Sequence, residues 1–157
     1  MDTAAAHKWF SSDYFNRVWQ ILDKGNPTAE EGELMISMSH ASLAHWRERP
    51  DCGPREISVG WWQLSRVYGV LRQAENARHY GALSLAAAQD ESAFFFLGYA
   101  HEALARAAKV AGDEAVLQEH LSRAMEFAAQ VEDEQERQWL EADLASLQEQ
   151  SSLSATK

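Results

Sequence analysis

The chain has 157 residues, 46% of them hydrophobic, and a formal net charge of −10. That length bounds a single domain with a real core, and the acidity argues against binding to phosphate backbones, so no nucleic-acid partner is expected. No apolar run reaches the ~20 residues that span a bilayer, the first residues lack the order of a secretion signal, and the single cysteine, Cys52, allows no intrachain disulfide; membrane partners are not expected and the reading is cytoplasmic.

Almost every stretch has a 3.6-residue apolar period, and no strand pattern occurs. The first helix is expected from about Ala5 to Asp23, stopped by Lys24-Gly25-Asn26-Pro27. Thr28 caps the second, which runs to about Arg47 with Glu30, Glu31 and Glu33 early, where the helix dipole favours them. Met35 and Met38 on it read as core filler. Pro50 and Pro54 bracket a loop that holds Cys52, read as a loop cysteine rather than a catalytic thiol.

The third helix is expected over Arg55–Arg72, with the stripe Ile57, Trp61, Leu64, Tyr68, Leu71, and the fourth over Ala74–Ala88, with the stripe Ala77, Gly81, Ser84, Ala88. Asp90 or Ser92 caps the fifth, which ends at Ala111 before a Gly112-Asp113 turn. The sixth carries Leu117, Leu121, Ala124, Ala128 and Val131. Asp133 caps a seventh, whose stripe Trp139/Leu140, Leu144, Leu147 needs cover. Residues 112–149 hold 11 acids and 2 bases. The plain reading of that excess is a solvated outer face; a docking surface for a basic partner is the alternative.

Residues forty apart match repeatedly: Trp61-x-x-Leu64-Ser65-x-x-Tyr68 is echoed by His101-x-x-Leu104-Ala105-x-x-Ala108. Ile57 and Leu97, Arg66 and Arg106, Val70 and Val110, Ser84 and Ala124, Ala88 and Ala128 keep the same offset. A fixed period of this length marks a helical-repeat architecture. The links are short, so neighbouring helices run antiparallel.

Trp61, Leu64, Ser65, Tyr68, Ala77, Gly81 and Ser84 fall at the seven places of the pattern W-x2-L-G-x2-Y-x8-A-x3-F-x2-A, so the chain resembles the tetratricopeptide repeat family. The segments Trp62-Gln63-Leu64-Ser65-Arg66-Val67-Tyr68 and Tyr99-Ala100-His101-Glu102-Ala103-Leu104-Ala105-Arg106 also look like those of short bacterial proteins of that repeat type, a likeness that carries no activity with it. Gly81 departs from the pattern, where the family carries an aromatic, and another side chain must fill that space. The next repeat, with His101, Leu104, Ala105, Ala108, Leu117, Leu121 and Ala124, lacks both aromatics of its first helix. The resemblance implies an all-α fold: a short right-handed solenoid of about seven helices over 1–149. Its hairpins would be near 5–47, 56–88 and 92–131, followed by a capping helix at 133–149 and a disordered tail at 150–157.

The resemblance also implies a concave groove. Carried onto this chain, its lining is Trp62 and Arg66 in one repeat and Glu102 and Arg106 in the next, joined by Tyr99. Trp19, with Phe15, lines it from the first helix if Gly25 corresponds to Gly112. Arginine forks match carboxylates, and aromatic walls supply apolar contact. Two readings stand: a groove for a protein or peptide partner, or an ion-pair network in which Glu102 pairs Arg66 or Arg106 and tightens the stack. The alternative function is a small-molecule or enzymatic site lined by His40, Trp62, Arg66, Tyr99 and Glu102. No triad, nucleophile elbow, P-loop or dinucleotide fingerprint appears, so no catalytic residue is assigned. None of the six histidines is spaced i, i+3 or i, i+4 from another; of sets drawn from different helices, His40, His79 and His101 is the only candidate. No metal or cofactor is expected. Trp9, Phe10 and Trp139 need cover at the two ends of a stack, so a homodimer is expected.

Overall fold

A computed structural model describes residues 2–91 and 93–152. Among them the chain forms seven α-helices and no strand: α1 (Thr3–Lys24), α2 (Ala29–Arg47), α3 (Pro54–Val70), α4 (Ala74–Glu91), α5 (Phe94–Ala111), α6 (Glu114–Ala128) and α7 (Glu134–Ser152). The fold class is all-α, as the apolar period predicts, and no described helix is long and apolar enough to cross a membrane.

Local chemistry sets most boundaries. Thr28 and Glu31 form a full capping box at α2. Asp113 accepts from the Val116 N–H at 3.1 Å, and Asp133 from the Glu136 N–H at 2.9 Å. α1 starts earlier than expected because Asp2 accepts from the Ala5 N–H at 3.2 Å. α3 ends before Arg72, whose φ of 59° is left-handed. The Gln73 N–H reaches the Tyr68 carbonyl at 2.9 Å and the Arg72 N–H that of Gly69 at 3.0 Å. This is a Schellman cap with arginine where glycine is usual. Forty residues on, Gly112 and Asp113 bond to Lys109 and Ala108 in the same way. The cap expected for α5 is corrected: Asp90 stays inside α4, and the N-cap is Ala93, without a side-chain bond. Ser92 lies outside the described residues. Of the expected tail, residues 150–152 continue α7, and 153–157 lie outside the described residues.

Consecutive helices pack side by side, and α3, α5 and α7 also contact one another in turn. The forty-residue period is physical. Trp62 bonds Glu102, Tyr80 meets His40, and Arg106 bonds Ser146, each pair forty residues apart. Small residues bring the backbones together. Ser58 and Ser84 each donate to the other's carbonyl, at 3.0 and 2.9 Å, tying α3 to α4. A Cβ on Gly81 would meet Leu104 and Ser65, so Leu104 fills the place of the missing aromatic. Gly98 lets Leu140 of α7 lie directly on α5.

The core is a chain of three clusters. Val18, Met35, Met38 and Val67 join α1, α2 and α3; Leu43, Leu64, Tyr68, Ala77 and Ala107 form the centre; Leu117, Leu121, Leu140, Leu144 and Leu147 close the far end. One expected core residue is corrected: Trp139 is 56% exposed, because Leu140 takes the inward position on α7.

Candidate functional site

The stacked first helices of each hairpin bring the expected groove residues into one connected set. Its centre is Glu102 on α5, which is 0% exposed. Its carboxylate accepts from Trp62 Nε1 at 3.0 Å, from Arg66 Nη1 at 2.9 Å and from Arg106 Nε one turn along its own helix. A buried carboxylate is costly unless it is paired and hydrogen-bonded, and these three donors, two of them cationic, serve both of its oxygens. Glu102 therefore lies beneath the surface and fixes the side chains above it.

A residue not anticipated from sequence completes the network. Asp143 of α7 accepts from the Tyr99 hydroxyl at 3.1 Å and from Nη2 of both Arg66 and Arg106 at 3.4 Å. Arg106 Nη2 also donates to the Asp143 carbonyl at 3.2 Å and to Ser146 Oγ at 2.9 Å. Burial and then the Asp143 charge push the Tyr99 hydroxyl far above its ordinary value, so it stays a donor. Arg66 and Arg106 keep 19% and 22% of their side chains exposed. Each guanidinium has five N–H donors, so both retain donors for an incoming acceptor.

Aromatic rings continue the set toward α1. Trp19 lies 5.3 Å from Trp62, Trp62 meets Tyr99 edge-on at 5.1 Å, and Tyr99 meets Phe95 at 5.0 Å. Gln63 donates to the Phe15 carbonyl at 3.0 Å and so anchors α1 against α3. Two apolar hollows flank this run and share Val59 and Phe96: one of about 340 Å³ with Phe15 and Trp46, one of about 160 Å³ with Trp62 and Tyr99. Beyond the arginines, at the C-terminal ends of α3 and α5, opens a hollow of about 500 Å³ whose charged lining is Arg66, Arg72, Arg106 and Lys109 with Asp113 and Glu114. Lys109 donates to the Leu147 carbonyl at 2.6 Å. Its ammonium is held below the usual range by burial and then by Arg106.

His40 is apart from this set. Its Nε2 lies 3.5 Å from the Tyr80 hydroxyl between α2 and α4, so the alternative site that includes it is not assembled. His79 also borders Tyr80, whereas His101 faces His120, Nδ1 to Nδ1 at 2.9 Å. The set His40, His79, His101 is thus corrected. Burial pushes the Cys52 thiol up, the opposite of an activated nucleophile.

Sequence reasoning missed Asp143, Ser146, Arg72 and Lys109. The period does reach one of them, since Ser146 is forty after Arg106. Lys109 is three residues past Arg106 and so shares its face. Comparison with protein-family models, curated proteins and solved structures finds no match to this chain.

Proposed function

We propose that the chain is a non-enzymatic binding module of tetratricopeptide-like construction, and that a protein or peptide partner lies across the face formed by α1, α3 and α5. The observation that carries this is the continuity of the site. A run of partly exposed rings, Trp19–Trp62–Tyr99, passes into two arginines held in fixed geometry by a buried carboxylate. Rigid aromatic and arginine side chains lose little entropy on binding and dominate interface energetics. The adjoining hollow carries four bases against two acids, Asp113 and Glu114, a local excess of positive charge on a chain of net charge −10, and this favours a partner segment with carboxylates beside an apolar side chain.

Selection of random dodecapeptides on the immobilised full chain tests the reading. Enriched peptides should combine Asp or Glu with an aromatic or large aliphatic residue, and should bind at least tenfold more weakly to Trp19→Ala and to Arg72→Ala. No enrichment, or equal binding by both variants, would overturn it. The single cysteine supports a cytoplasmic setting for this activity. Self-association belongs to the same proposal: Trp9 on the first helix and Trp139 on the last are 58% and 56% exposed. Light scattering should then find a species larger than 17.7 kDa at micromolar concentration.

A further inference from the structure

The forty-residue register also places side chains that the groove does not use. Trp61 and Tyr80 of the second hairpin stack at 5.4 Å. Forty residues on, the same two places hold His101 on α5 and His120 on α6. Here the rings do more than pack, because two imidazole Nδ1 atoms face each other at 2.9 Å. Phe127 stacks on His101 at 5.6 Å and limits its rotation. A second imidazole pair, His7 and His45, repeats the 2.9 Å contact between α1 and α2.

We propose that His101 and His120 form a two-histidine seat for a divalent late transition-metal cation of the zinc or copper(II) class, with water completing the coordination. The contact is a hydrogen bond, in which one Nδ1 donates to the other; with both rings protonated at Nε2 instead, the two Nδ1 lone pairs are free to hold one cation between them. With metal–nitrogen bonds of about 2.0–2.1 Å, a tetrahedral site needs its nitrogens about 3.3 Å apart. The pair meets this by opening a few tenths of an ångström through small side-chain rotations.

The surroundings suit this. Burial, then the neighbouring His120 and Arg123, holds His101 down at about 4, and burial also lowers His120. Both rings are thus neutral at pH 7, and each ligates through Nδ1 in the tautomer that carries its proton on Nε2. The charges bearing on the pair are Glu119, Glu126 and Arg123 on α6, an acidic balance. From α4, Glu75 and Arg78 line a hollow of about 130 Å³ that includes His120 and gives water a way in. Among the described residues no group of three His, Cys, Asp or Glu side chains surrounds a cation position. The protein therefore supplies two ligands, and the site is exchangeable rather than structural.

The test uses the full chain with His45→Ala as background, which removes the α1–α2 pair. Into this protein, and into one that adds His101→Trp with His120→Tyr, zinc chloride is titrated by calorimetry at pH 7.5. The added pair copies Trp61 and Tyr80 of the preceding repeat, so the hairpin keeps a packed ring pair, and circular dichroism verifies the fold. The background protein should take up one equivalent of zinc, and the ring-pair variant should bind at least tenfold more weakly. No saturable uptake by the background protein, or equal affinity in the two, would overturn the proposal. Should the ring-pair variant fail to fold, His120→Gln takes its place with the same expectations.

Discussion

Replacing Arg66 by alanine should lower stability, and the geometry sets the size of the effect. The substitution removes the 2.9 Å bond from Nη1 to Glu102 and the weaker 3.4 Å contact with Asp143. Stranding a buried charge completely costs about 3–5 kcal/mol. Glu102 is not stranded, because Trp62 Nε1 and Arg106 Nε still donate to it. The loss is then one charge-assisted hydrogen bond, about 1.5–3 kcal/mol. For a domain of this size, 1 kcal/mol moves the melting temperature by about 2–4 °C, so Arg66→Ala should melt roughly 4–10 °C lower. Thermal unfolding followed by circular dichroism measures it. A double-mutant cycle with Glu102→Gln isolates the pair, since residues in one network couple strongly. A melt within about 1 °C of the parent would refute the claim that Arg66 holds Glu102 and would leave its guanidinium as a free surface group. Of the two sequence readings, the ion-pair network is present in the structure, and the partner groove rests on the function proposed above.

Three further outcomes follow from single contacts. The unfolded chain protonates His101 near its ordinary value of 6.5, the folded chain only near 4. Between those values the unfolded state binds more protons, so stability falls as pH falls through that window; His101→Phe should flatten the fall, and parallel pH-dependent melts of the two proteins would show otherwise. Arg72 sits at a φ of 59°, which costs a non-glycine residue about 1–2 kcal/mol. Arg72→Gly should raise the melting temperature by a few degrees, and a lower melt would contradict the strain. Gly98→Ala should destabilise by about 1–3 kcal/mol, because its Cβ would overlap Leu140 of α7; urea unfolding with an unchanged midpoint would show that α7 can move away freely.

Much of the fold is legible from the sequence because it rests on local chemistry repeated at a fixed interval. Thr28, Asp113 and Asp133 cap where they stand because a short polar side chain before an apolar period has one good use. The interval of forty, read from Trp61 and His101, returns as bonds between residues forty apart. Arg72 breaks the local rule: nothing in an arginine signals a left-handed cap, so α3 reads two residues too long. Asp143 is illegible for another reason. It meets Arg66 across 77 residues and Tyr99 across 44, and that register is set by tertiary docking of α7, with Leu140 on Gly98 and Leu144 and Leu147 in the core. The paired histidines escape a search along one helix because each pair is divided between two helices.

The central claim is that a partner lies across Trp19, Trp62 and Tyr99. The chain has six tryptophans, and each indole N–H gives its own signal in a ¹⁵N correlation spectrum. Adding a selected acidic-aromatic peptide to the labelled full chain reads the binding face in one titration. The Trp19 and Trp62 signals should shift in proportion to occupancy. Those of Trp61, stacked on Tyr80, and of Trp9 should stay within the line width. Shifts at Trp61 or Trp9 with Trp19 and Trp62 unmoved would place the partner on another face and contradict the account.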